Sequence, residues 1–485
     1  MRRLLDRLCS LRCALVAWVS VLVAASAQAA DIDYTLQFAR CDDTPCLHVT
    51  LTFAAASDEP TRLRLPTDYA GSAGAATRLR GIRATNGQGA NLLQPKDETA
   101  IRREAEGADV ELQAKRGERI HVSYHLLSGT AEETSVSLSE VYLPAISYVR
   151  ARLLGWASLA IPLVPARLAP TASLRFLAAN GLPVTTRTNL GAAGPSVDFP
   201  WHPTALGASI VLMGDFAAIG ETKINASDAT TQPVLVVQNE LSGRDFRQAA
   251  DDLSRIEATS RRFWGTPAES PPRLVFFGEL ADRRSSLQGA AFGSAFMTFA
   301  TSDRTRDGLN YLWMHELQHG WLPHKMVRPN GRRGADLQWF TEGFTEYVTH
   351  ALMEEAGLRP AGHLNQELAA ATERLAAVQS PEPYAALVAR FHRDPSTQRP
   401  IYDRGFVLAS RWDREIRCRS GGQKGLRDVL RGLLVAADQR AVLEQPVVER
   451  QFANAGVARP GDDVERFVAR GEAMGVTATT SQSCD

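Results

Sequence analysis

The segment from Thr305 to Tyr347 constrains this chain more than any other, because it contains His315-Glu316-Leu317-Gln318-His319. On a helix, positions four apart differ by only about 40° around the axis, so the two imidazoles share a face. Two neutral imidazoles aimed at one point make half of a tetrahedral zinc site. Glu316 projects beside them without acting as a ligand; in this spacing its carboxylate serves as the base towards the attacking water. The pattern requires a helix here and a third ligand from elsewhere in the chain.

Glu342 is the candidate for that ligand. It stands 342 − 319 = 23 residues after the second histidine, inside Trp339-Phe340-Thr341-Glu342-Gly343-Phe344-Thr345-Glu346-Tyr347. Aromatic residues there frame a carboxylate at the start of a predicted second helix. A catalytic zinc takes three protein ligands and keeps its fourth position open. Glu346 lies one turn on, on the same face. That position suits an acceptor for a histidine N–H, which fixes the ring's tautomer. The bland alternative is a buried helix whose histidines only pack. Leu309, Trp313, Leu317 and Trp321 repeat every four residues away from the ligand face and read as its core side. His324 lies off the ligand face and is not counted as a ligand.

His319-Gly320-Trp321, Lys325-Met326-Val327-Arg328-Pro329 and Trp339 to Thr345 together resemble the glycyl aminopeptidase family of zinc peptidases, gluzincins related to thermolysin and to aminopeptidase-N-type enzymes. The resemblance implies His315, His319 and Glu342 as ligands of one Zn2+ ion per chain, with Glu316 as the general base. It extends to Arg399-Pro400-Ile401-Tyr402-Asp403-Arg404-Gly405, similar to the Tyr-x-Lys-Gly segment of these peptidases with Arg404 in place of the lysine. Tyr402 carries over as the phenol that hydrogen-bonds the tetrahedral intermediate, where it meets charge present only in the transition state. Taken alone, a tyrosine before an apolar helix reads as structural. One segment departs from the family. Its members carry a Gly-Gly-Leu-Glu-His type stretch whose glutamate helps hold the free amino terminus, and this chain has Gly289-Ala290-Ala291-Phe292-Gly293-Ser294 instead. A buried ammonium without a partner is costly, so zinc hydrolysis is expected while aminopeptidase specificity stays open.

The chain's 485 residues exceed one typical core. The expected architecture is multidomain, β plus α. Residues 1–29 form a signal peptide, 30–232 an antiparallel β-sandwich, and 233–485 a thermolysin-like, mainly helical zinc peptidase domain. Strand alternation is clear at Asp33 to Phe38 and Leu47 to Phe53, and recurs at Asp109 to Leu112, Ile120 to Tyr124 and Ala208 to Met213. His48, His121, His125 and His202 sit among these strands and turns without a ligand rhythm. Beyond Pro233, helical spacing appears at Gly243 to Trp264, a buried strand at Arg273 to Phe277, and an edge strand at Ala291 to Phe299. Such an edge pairs with an extended peptide. Leu426, Val429, Leu430, Leu433 and Leu434 form one apolar helix face. The PDZ domain common in the family is expected to be missing.

Lys+Arg and Asp+Glu both count 54, which gives no electrostatic case for nucleic acid or an anionic membrane surface. Arg2, Arg3, Arg7 and Arg12, a short apolar run, and Ala27-Gln28-Ala29 read as a secretory leader. The run is shorter than a bilayer span requires, so cleavage near Ala29 or Ala30 is expected, with a retained anchor as the alternative, and no later segment is long and apolar enough to span. The remaining cysteines, Cys41, Cys46, Cys418 and Cys484, suggest two disulfides: Cys41 with Cys46 across a tight loop, and Cys418 with Cys484. The expected function is an exported zinc metallopeptidase, periplasmic or secreted, acting on a peptide or protein substrate. The alternative is a secreted binding protein that kept the fold and the zinc with little hydrolysis.

Overall fold

Apolar residues at alternate positions build the first hairpin. Ile32, Tyr34, Leu36 and Phe38 of strand Ile32–Cys41 are buried, as are Leu47, Val49, Leu51 and Phe53 of Thr44–Ala54, and the two strands pair antiparallel from Ile32 opposite Phe53 to Cys41 opposite Thr44. Asp42 turns the chain with φ 54°, and a disulfide joins Cys41 to Cys46 across the turn. The computed structural model describes residues 31–93, 109–129, 141–223, 233–238, 247–265, 273–280, 286–322, 337–438 and 443–474, apart from positions 70, 71, 73, 293, 305 and 393. The leader, Cys484, His324 and the Lys325 to Pro329 segment lie outside the described residues. Cys418 is itself disulfide-bonded.

The hairpin sits at the centre of a six-stranded sheet, in the order Ser196–Pro200, Thr171–Leu177, Ile32–Cys41, Thr44–Ala54, Arg119–Leu127 and Leu79–Asn86. This sheet corrects the expectation of a purely antiparallel region. Thr171–Leu177 runs parallel to Ile32–Cys41, with Ile32 opposite Ala172. A parallel pair needs a long crossover, and the more than one hundred intervening residues supply it; they include three other strands of this sheet and a separate three-stranded sheet. His48 and His125 face each other across neighbouring strands, with ring centroids 5.0 Å apart, and His202 caps the short helix Pro203–Gly207.

A further five-stranded sheet carries the chain towards the helices. Its order is Ala217–Lys223, Pro233–Gln238, Arg273–Glu279, Ala295–Ala300 and Leu287–Phe292. The expected single edge strand over Ala291 to Phe299 is two strands, with Leu287 opposite Ala300 and Phe292 opposite Ala295. All six residues of Ala295–Ala300 are buried because that strand is internal; Leu287–Phe292 is the edge. One apolar cluster joins the regions: Tyr142, Leu143, Leu154, Ile210 and Leu212 pack with Leu274, Phe276, Phe292, Met297 and Phe299.

Helices dominate from Arg247 on. Arg247–Trp264 and Arg306–Gln318 lie against this sheet, and Gly343–Glu355, His363–Ala376, Gln398–Arg419 and Leu426–Asp438 complete the layer. Leu309, Trp313, Leu317 and Trp321 are all buried in its core, and so are Leu426, Val429, Leu430, Leu433 and Leu434. No helix among the described residues is long and apolar enough to cross a membrane.

Candidate metal centre

Helix Arg306–Gln318 delivers His315 from its last turn, and His319 follows directly after the helix ends. Gln318 fixes that end. Its side chain is fully buried; the amide nitrogen donates to Ser260 Oγ at 2.8 Å and to Met314 O at 3.0 Å, while its oxygen accepts from Trp264 Nε1 at 2.8 Å. Trp264 in turn stacks on Trp321, with centroids 5.7 Å apart and planes within 9°. Of the three residues between the motif's histidines, the two after Glu316 therefore serve packing, Leu317 through the core and Gln318 through hydrogen bonds.

Glu342 lies between the turn Gln338–Thr341 and helix Gly343–Glu355. Its Oε2 is 3.4 Å from His315 Nε2 and 3.4 Å from His319 Nε2, and the two imidazole nitrogens are 3.2 Å apart. A tetrahedron whose centre lies about 2.0–2.1 Å from its corners has edges of about 3.3–3.4 Å, so this triangle fits one face of a zinc site. The donor chemistry fits as well, since two imidazoles and a carboxylate match the ligand preferences of zinc. These three residues form a group able to hold a metal ion.

Neighbouring groups orient both rings. His319 Nδ1 lies 2.9 Å from Leu322 O. A carbonyl only accepts, so Nδ1 carries the proton and Nε2 keeps its lone pair for a metal. His315 Nδ1 lies 3.1 Å from Glu346 Oε1, close enough for the carboxylate to hold the ring by charge although no well-aligned hydrogen bond forms. Glu346 also accepts from Tyr311 Oη and lies 3.5 Å from His350 Nε2. His350 Nδ1 continues to His363 Nε2 at 3.0 Å. Glu346 thus anchors a buried polar chain, which reaches beyond the ring-orienting contact expected of it.

Protonation follows from this crowding. Burial disfavours charge on His315, but Glu342 and Glu346 outweigh it and lift its pKa to about 10. Burial pushes Glu342 up, yet His319 and His315 hold it below the ordinary carboxylate range. For Glu316 burial wins: its pKa is raised, with Glu342 adding to the effect against the two histidines. A carboxyl moved towards neutrality is suited to accept and return a proton.

Glu316 packs against Gly289, the first residue of the segment that departs from the family pattern. A β-carbon at Gly289, on the edge strand, would stand 2.3 Å from Glu316 Oε1. Tyr402 lies in helix Gln398–Arg419, with its ring centroid 6.1 Å from that of His315. Burial first, then Glu342, raises its pKa, so the phenol keeps its proton. Two glycines set its distance. A β-carbon on Gly343 would lie 2.4 Å from Gly405 Cα, and one on Gly405 would lie 1.9 Å from Trp339 O, so the glutamate and tyrosine helices touch backbone to backbone. Arg404 takes no part in the centre. It is buried, donating to Val468 O and Glu382 O.

No protein-family model and no curated protein sequence matches the chain. Solved structures do. An aminopeptidase N family protein from Idiomarina loihiensis matches with TM-score 0.66 at 16% identity, over 91% of this chain and 76% of that one. An M1 zinc metallopeptidase from Deinococcus radiodurans matches with TM-score 0.54 at 14% identity, over 91% and 93%. A mutant M1 zinc metallopeptidase from the same organism, bound to a Tyr-Ser-Ala substrate, matches with TM-score 0.52 at 14% identity, over 91% and 94%. At these identities the likeness is one of architecture: the chain has the fold of the M1 zinc metallopeptidases.

Proposed function

We propose that the protein is a zinc-dependent metallopeptidase that hydrolyses peptide bonds outside the cytoplasm. The convergence of His315, His319 and Glu342 at tetrahedral-edge spacing, with Glu316 beside them, carries this reading. The three residues would hold one Zn2+ ion. When bound, zinc polarises the scissile carbonyl and lowers the pKa of water to about 7.

The chain's own residues do the rest. Glu316 takes a proton from the attacking water onto its carboxylate and hands it to the leaving amine nitrogen. Tyr402 donates its phenolic hydrogen to the oxygen of the scissile carbonyl as that oxygen gains charge, an interaction absent from the ground state. Glu346 holds the His315 ring through Nδ1, and Leu322 O holds His319 through its own Nδ1.

The finer resemblance to glycyl aminopeptidases rests on the Trp339 to Thr345 and Tyr402 segments. Export, to the periplasm or beyond the cell, is supported by the leader-like N-terminus and by the Cys41–Cys46 disulfide. We divide the chain into a leader (1–29), a β region (30–232) and a catalytic region (233–485).

Digestion of a mixed peptide library, with and without a chelator, tests the reading. The parent chain is expected to cleave and the chelated chain to be silent. Glu316→Gln should bind zinc and fail to cleave. Cleavage that survives the chelator, or full activity in Glu316→Gln, would overturn the assignment.

A further inference from the structure

Four helices meet at a side chain that the proposed chemistry does not use. His350, in helix Gly343–Glu355, is 6% exposed, and its ring packs against those of Tyr311 at 5.2 Å and Phe406 at 5.3 Å. Tyr311 comes from helix Arg306–Gln318 and Phe406 from Gln398–Arg419. The fourth helix, His363–Ala376, supplies His363, which is also buried. An imidazole in such a seat is costly unless both nitrogens find partners. His350 Nε2 lies 3.5 Å from Glu346 Oε2, and His350 Nδ1 lies 3.0 Å from His363 Nε2.

The two oxygens of Glu346 are divided between partners. Oε1 accepts from Tyr311 Oη and faces His315 Nδ1 at 3.1 Å; among the described residues, the partner of Oε2 is His350. A carboxylate only accepts, so His350 Nε2 carries a proton towards it, and in the neutral ring Nδ1 is then an acceptor for His363 Nε2. Burial, then His350, lowers the pKa of His363, whose neutral ring has one N–H to give. Glu367 Oε1, 3.9 Å from His363 Nδ1, is too distant to claim that proton by a hydrogen bond. The donors thus run inwards, from His363 to His350 to the carboxylate that holds a ligand ring. Without His350, Oε2 is buried with no described donor, and a carboxylate that turns to find one gives up its alignment with His315.

We infer that His350, its tautomer set by His363, is a positioning residue of the metal centre: it engages Glu346 Oε2 and so keeps Oε1 on the Nδ1 side of His315. The inference rests on the metal reading of His315, His319 and Glu342, and it does not depend on which bond the centre hydrolyses. The effect of both histidines on the ligands passes through Glu346.

A double-mutant cycle on zinc affinity, measured in the full-length chain against a competing chelator, tests this without turnover. His350→Phe keeps the aromatic packing and removes the donor; it should weaken zinc by about three- to tenfold. In the Glu346→Gln background the same change should have no further effect, because the residue it acts through is already lost. Equal effects in both backgrounds would make His350 merely structural and overturn the inference, as would parent affinity in His350→Phe. His350→Gln, which keeps an N–H for Glu346, should recover most of the loss; a Gln variant as weak as the Phe variant also overturns it. If His350→Phe does not fold, His363→Leu runs the same cycle with the same expectation. Two zinc ions per chain, the second lost in His350→Phe, would overturn it by making the histidine pair a metal site of its own. A parent that binds no zinc removes the metal reading and this inference together. A loaded chain that cleaves no peptide removes the peptidase reading alone.

Discussion

A ligand imidazole has to offer one nitrogen and commit the other, and the two histidines meet this demand differently. His319 uses a backbone carbonyl, Leu322 O; His315 uses a carboxylate, Glu346. Replacing Glu346 by Gln removes the charge that holds His315, and zinc affinity measured against a competing chelator should fall by about ten- to one-hundredfold. Protons compete for the same nitrogens. With its pKa at about 10, His315 is protonated at pH 7 in the metal-free chain, yet a ligand imidazole must be neutral. Loading zinc at pH 7 should therefore release protons, and apparent affinity should rise with pH towards that value. Calorimetry in buffers of different ionisation enthalpy counts the protons; an uptake independent of buffer would contradict the electrostatics described. At this scale the convergence of His315, His319 and Glu342 was legible, because four-residue spacing and a framed glutamate are statements about side-chain type. Leu322 and Gly289 were not, since one acts through its carbonyl and the other through a missing β-carbon.

Between elements, the centre depends on how closely two helices cross. Gly343 follows the candidate ligand Glu342 and Gly405 follows Tyr402 by three residues, so the crossing that brings the helices together also brings the phenol towards the carboxylate. Gly405→Ala forces a methyl group against Trp339 O and should cost about 1–3 kcal/mol or more, read as a lower thermal midpoint together with a lower kcat. A variant as stable and as fast as the parent would mean that the crossing has slack. Gly289→Ala should act on the base alone, reducing hydrolysis while zinc stays bound. The helices themselves were readable from apolar periodicity, with the Leu309 to Trp321 stripe buried in full. The edge strand was misassigned because Gly293-Ser294, the turn signal inside Ala291 to Phe299, was read through as part of one strand. With apolar residues on both sides, two small residues are a weak mark of where one strand stops and the next, fully buried one begins.

Across the whole molecule, the β region and the helical region share more than a chain. Strand Ala217–Lys223 pairs with Pro233–Gln238, Tyr142 holds the edge strand, and one apolar cluster draws on both sides. Residues 233–485 produced alone should expose that cluster and show no cooperative thermal transition, whereas a folded, zinc-binding fragment would separate the two regions. Parallel pairing of the first strand with one near residue 171 could not be read from local pattern, because alternation specifies faces and not partners. The central claim concerns a single point in this assembly. Anomalous diffraction at the zinc edge, from crystals of the zinc-loaded chain, should show one peak per chain about 2.0–2.2 Å from His315 Nε2, His319 Nε2 and a Glu342 oxygen. A peak elsewhere, or none there, would contradict the account.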